Sequence, residues 1–222
     1  MSVLSALTPG EILACMFSNS NGTFHWGIFL VVDERNAYKL QARQYGSYWR
    51  FEEPKPHDLL ASSTLCAMVK IGTFPLTNFE TIFNHIVPLM REIPMTVPLH
   101  EQAVIGENIF HCRVWFREAV RKLHDNGYIH CPNVWALYEE CMGHAQSNDM
   151  TYIHEPPKYF ISRHSSTVTS ASGPGAQVYG NYWTNQTYGA YSTTSGGNPA
   201  ASGSNGGYFW GHGGTADYRR NH

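Results

Sequence analysis

The sequence predicts an α+β domain, an antiparallel sheet packed against helices, followed by a tail. Two observations lead to that class. Strand-like segments crowd the first half of the chain and helical periodicity appears only beyond residue 77, an order that does not alternate strand with helix. Apolar residues sufficient for a core run to about residue 164, after which Gly, Ser, Thr, Asn and Tyr take over.

The run EILACMF (11–17) suits either a strand or a helical turn, and Asn19, Asn21 and Gly22 supply a turn after it. FHWGIFLVV (24–32) is β-branched and aromatic almost without polar interruption, the pattern of a central strand. DERN (33–36) reads as a hairpin loop, AYKLQAR (37–43) alternates apolar with polar, and YWRFE (48–52) follows a turn at Gly46. Pro54 and Pro56 open a loop, HDLLASS (57–63) fits a short helix, and LCAMVKIGTF (65–74) is another strand. Thr77 with Glu80 three residues on has the form of a capping box, and Ile82, Phe83, Ile86 and Val87 follow at helical spacing until Pro88 ends or kinks the helix. Residues 93–108, with two prolines, read as a long loop. Cys112, Trp115, Phe116, Ala119 and Leu123 then form one apolar helical stripe, with Arg113, Arg117, Glu118, Arg121 and Lys122 opposite and Gly127 as the closing residue. Val134–Met142 fits a last short helix.

These segments define a domain over residues 1–164. From 165 to 222 only Asp217, Arg219 and Arg220 are charged, and tyrosines and tryptophans are spaced through Gly, Ser and Asn. That composition predicts a disordered, low-complexity tail, either inert or capable of weak self-association. A net charge of −2 carries no footprint for nucleic acid. No apolar run approaches the ~20 residues of a transmembrane helix, and no basic segment leads into an apolar stretch at the start of the chain. Five cysteines without framework spacing read as free thiols. A cytoplasmic protein without a cofactor is the expectation, since no phosphate-binding glycine loop, G-x-S-x-G or H-E-x-x-H occurs.

Chemistry centres on Cys112. A cysteine in the first helical turn lies near free backbone N–H groups and the positive end of the helix dipole, both of which favour the thiolate. A buried cysteine on an apolar stripe also serves packing alone. Of the 12 histidines, His25 stands inside the clearest strand, where an imidazole needs a polar partner or a function. A second constellation, His124, His130, Cys131, Cys141, His144 and His154, raises zinc, with only Cys141-Met-Gly-His144 spaced as a ligand pair. Glu52 and Glu53 read as solvated strand-end acids. Trp26, Tyr48, Trp49 and Trp115 suit a core or a cleft lining.

The early HWGIFLV and the later FHCRVWFREAVRKLHDNGYI resemble a fungal protein family, itself similar to the permuted papain-like branch that holds lecithin–retinol acyltransferase and NlpC-type proteins. The likeness spans most of residues 24–164. It implies a papain-like fold with Cys112 at a helix N-terminus, acting as nucleophile toward an amide, ester or thioester, and His25 as its base. Relatives often carry a second histidine on the following strand. Here that strand reads AYKLQAR, and Gln41 takes the place. An amide can orient an imidazole by one hydrogen bond but lends it no charge. Two functions stay open: a thiol hydrolase or acyltransferase using Cys112, His25 and Gln41, or a catalytically degenerate papain-like domain that binds partners.

Overall fold

The structure, a computed structural model, describes residues 6–105, 108–149 and 158–168. Six strands lie in one sheet: β1 (Glu11–Ser18), β2 (Phe24–Val31), β3 (Asn36–Tyr45), β4 (Tyr48–Glu52), β5 (Pro56–Asp58) and β6 (Leu65–Thr73). Four helices follow or intervene: α1 (Phe79–Arg91), α2 (Leu99–Ile105), α3 (Cys112–Asp125) and α4 (Val134–Ser147). The short strands β7 (Ile129–His130) and β9 (Ser166–Thr167) pair with each other, and β8 (Lys158–Ile161) joins the main sheet. The main sheet runs β4-β3-β2-β1-β6-β8, with β5 beside β3; every pairing is antiparallel except β6 with β8. This is the α+β class with a mostly antiparallel sheet.

Period-2 alternation splits the sheet into two faces. On one, Trp26, Ile28, Leu30, Leu40 and Ala42 pack against the helices. On the other, Leu13, Cys15, Phe17, Phe29, Val31 and Ala37 form a second cluster with Leu7, Leu59 and Met68. The run at 24–32 reads as nearly continuous because both faces are covered. Helix α3 lays its apolar stripe on the first face, where Trp115 stacks on Phe51 and Phe116 packs 5.0 Å from Trp26.

Several expectations change. Residues 93–108 are not all loop: α2 begins right after Pro98, whose carbonyl accepts from the Glu101 and Gln102 amides. Proline before a first turn costs no helical hydrogen bond. Arg117, expected on the outer face of α3, is fully buried. Its guanidinium donates twice to the buried Glu101 carboxylate, at 2.9 and 2.6 Å, and lies 4.3 Å from the Trp135 ring. Thr77 sits within a 3-10 turn (Leu76–Asn78) rather than capping α1, and α1 continues through Pro88 because Met90 is buried in its last turn. The stretch 57–63 contributes β5 and a turn instead of a helix, with Leu59 in the second cluster. Helix α4 runs five residues past Met142, and the Asn133 side chain caps it by accepting from the Ala136 amide at 3.0 Å. Ser165 is buried and β9 pairs with β7, so the fold continues slightly beyond 164. The rest of the tail lies outside the described residues.

The Glu101–Arg117 pair makes one measurable claim. Arg117→Ala leaves a buried carboxylate with reduced compensation and is expected to cost about 3–5 kcal/mol, read as a lowered midpoint in urea unfolding.

Candidate active site at the parting of two strands

The backbone of β2 determines where the site forms. The Val31 carbonyl accepts from the Gly10 amide on the β1 side, and the Val32 amide donates to the Asn36 carbonyl on the β3 side. Odd-numbered backbone groups of β2 therefore face β1 and even-numbered ones face β3. Pairing with β3 begins only at Ile28↔Leu40. Toward the start of β2, the Phe24 carbonyl and the Trp26 amide thus look into a gap where the pairing with β3 has ended.

The Cys112 thiol fills that gap. It donates to the Phe24 carbonyl, Sγ to O 3.8 Å, and the Trp26 backbone N–H donates to the sulfur. Cys112 is the first residue of α3, and the amides of Cys112 and Arg113 also face its sulfur. Helices lie on the Trp26 face, and alternation places His25 on the other. The sulfur lies against the main chain on either side of His25.

Gln41 reaches into the same region from β3. The register Ile28↔Leu40, continued one step, sets Gly27 opposite Gln41 and makes His25 a diagonal neighbour within reach of a long side chain. His25 Nε2 donates to Gln41 Oε1 at 2.6 Å. Gly27 leaves room at the crossing: a Cβ there would stand 3.2 Å from the Phe29 ring and 3.3 Å from the Leu40 carbonyl, both tight, and at ordinary contact, 3.8 Å, from the Gln41 Cβ. On the far side, the Gln41 amide nitrogen donates to Glu52, which lies directly across β3–β4. Glu52 also accepts from Tyr45 Oη at 3.1 Å and Arg43 at 3.3 Å. A cleft of about 260 Å³ beside this chain is lined by Lys39, Gln41, Arg43, Glu52, Lys55 and His57, among others.

Burial pushes the Cys112 thiol up, against the opposing pull of the Trp26 amide, the Arg113 charge and the α3 amides. Burial lowers His25, the Gln41 hydrogen bond raises it, and nearby Lys39 and Arg43 lower it further; the net direction is down. Cys112 therefore rests as a thiol and His25 as a neutral imidazole, with no hydrogen bond between the two among the described residues.

Other sequence candidates disperse. Trp26 and Trp115 are fully buried, and Trp49 packs on Phe110, so these rings build core; Tyr48 is exposed. In the histidine–cysteine set, His124 Nδ1 accepts from the Cys131 amide, His144 stacks on Phe160, and burial raises both Cys131 and Cys141; His154 lies outside the described residues. Among the described residues, ligand atoms gather instead at His100, Glu101 and Glu118, where Arg117 and Arg121 already hold the carboxylates. Glu52, read as a solvated acid, is the residue the sequence reading passed over. The signal was present: a turn at Gly46 pairs Tyr45 with Tyr48, and counting back along both strands sets Gln41 opposite Glu52.

Comparison with family models, with characterised proteins and with solved structures finds no match to this chain. Among the described residues, no helix is long and apolar enough to cross a membrane.

His25 is expected to titrate below the ordinary imidazole range in an NMR pH series. Gln41→Leu removes the bond that raises it and should shift the midpoint lower still. The sign for stability follows, because the unfolded chain binds the proton more readily. The stability tied to neutral His25 is complete above about pH 6.5 and declines as the pH falls below it.

Proposed function

We propose that the protein is a cysteine-dependent hydrolase or acyltransferase of the permuted papain-like kind, acting on an amide, ester or thioester. The observation that carries this reading is the seat of the Cys112 thiol against the main chain flanking His25, with Gln41 holding the far nitrogen of that ring. The chain order, a His-Trp strand before a cysteine-headed helix, supports it.

The chemistry runs from neutral partners. Nδ1 of His25, the ring nitrogen left free by the Gln41 bond, takes the thiol proton as sulfur attacks the carbonyl carbon and the C–S bond forms. The carbonyl oxygen becomes an oxyanion that the Cys112 and Arg113 amides stabilise. Collapse breaks the bond to the leaving group, which receives the proton from His25. A water or another acceptor, deprotonated by His25, then attacks the thioester and restores the thiol. The polar cleft beside Gln41 favours a polar acyl substrate over a long hydrocarbon chain.

A second reading rests on a specific observation. The thiol is buried, held up in pKa and occupied as a donor to the Phe24 carbonyl, as suits a catalytically degenerate domain that binds partners. Labelling with iodoacetamide separates the two. In the enzyme reading Cys112 reacts about tenfold faster than Cys15, Cys66, Cys131 and Cys141, and His25→Ala abolishes that lead. The histidine variant is the decisive arm, because burial alone slows the other four thiols. Equal, slow labelling of all five cysteines, or a lead that survives His25→Ala, overturns the enzyme reading.

A further inference from the structure

We propose that Glu52 is a positioning residue that sets which nitrogen of the His25 ring carries the proton, acting through the Gln41 amide. This inference rests on the reading of His25 as the base for Cys112, and deepens it.

An ionised carboxylate can only accept hydrogen bonds. Glu52 therefore requires the NH2 group of Gln41 to face it, which turns Oε1 toward His25. An amide oxygen also only accepts, so the hydrogen in the 2.6 Å contact belongs to His25 Nε2. A neutral imidazole with its hydrogen at Nε2 has its lone pair at Nδ1. One carboxylate on β4 thus fixes an amide on β3 and a tautomer on β2. Without a charged neighbour, an amide can turn end for end and present its NH2 group to the ring, which reverses the tautomer.

Glu52 is built to hold this role. Arg43 and Tyr45 follow Gln41 on the same face of β3 at two-residue steps, and both donate to Oε1, leaving Oε2 to Gln41. Burial raises the carboxyl, but the bonds from Gln41 and Tyr45 and the Arg43 charge outweigh it, so Glu52 lies below the usual carboxylate range. It is ionised at neutral pH. The arrangement also places a negative charge behind the amide. A glutamine in the place of a second histidine supplies no charge of its own, and Glu52 provides one as the imidazolium forms.

The test reads the ring directly. In the full-length protein labelled with ¹⁵N, long-range ¹H–¹⁵N spectra above the His25 midpoint should show one tautomer, protonated at Nε2. Glu52→Gln keeps the shape and removes the constraint, so the Nδ1–H form should appear beside it, and iodoacetamide labelling of Cys112 should slow severalfold. A wild-type ring protonated at Nδ1 overturns the proposal without any variant, should Glu52→Gln fail to fold. An unchanged single tautomer in a folded Glu52→Gln protein also overturns it. Selective, His25-dependent labelling of wild-type Cys112 reports separately on the nucleophile, so either idea can fail alone.

Discussion

The site depends on one constraint, the loss of pairing between β2 and β3 before Ile28↔Leu40. Buried main-chain groups must find partners, and a strand that loses its neighbour exposes a carbonyl and an amide that demand replacements. Here the replacement is a thiol. The Trp26 amide and the Phe24 carbonyl take the Cys112 sulfur where a third strand would otherwise have been. On its opposite edge β3 pairs with β4, and that register sets Glu52 across from Gln41. The thiol owes its place to the lost pairing, and the amide and carboxylate owe theirs to the register on the far edge of β3.

Legibility of the fold followed the strength of local signals. The strands at 24–32, 48–52 and 65–73 and the helix at 112–125 were readable because burial on known faces leaves periodicity in the residues themselves. Helix α2 was not, since two prolines look like breakers and its main anchor, Glu101, is a charged residue whose burial depends on Arg117 from another helix. Arg117 was misplaced for the same reason. A hydropathy stripe treats an arginine as solvent-facing, whereas this one is paired and flanked by Trp135 and Tyr138.

For the site, sequence singled out His25, Gln41 and Cys112, and the structure shows how each is held. Gln41 came from a family resemblance rather than from its own properties, and its bond to His25 is a matter of strand register. Glu52 was within reach of counting from the Gly46 turn, but acidic residues at a strand end resemble ordinary surface. Nothing in the residues announces that β2 and β3 part company, because that divergence is a property of two strands together. The role of Gly27 was equally hidden: its value lies in the room it leaves beside the Phe29 ring and the Leu40 carbonyl.

The two bonds between the Cys112 sulfur and β2 also bear on the helix that carries it. They tie the first residue of α3 to β2, so the helix is fastened to the sheet at its head as well as along its apolar stripe. A slide of α3 along the sheet would therefore break directional polar bonds as well as apolar contacts.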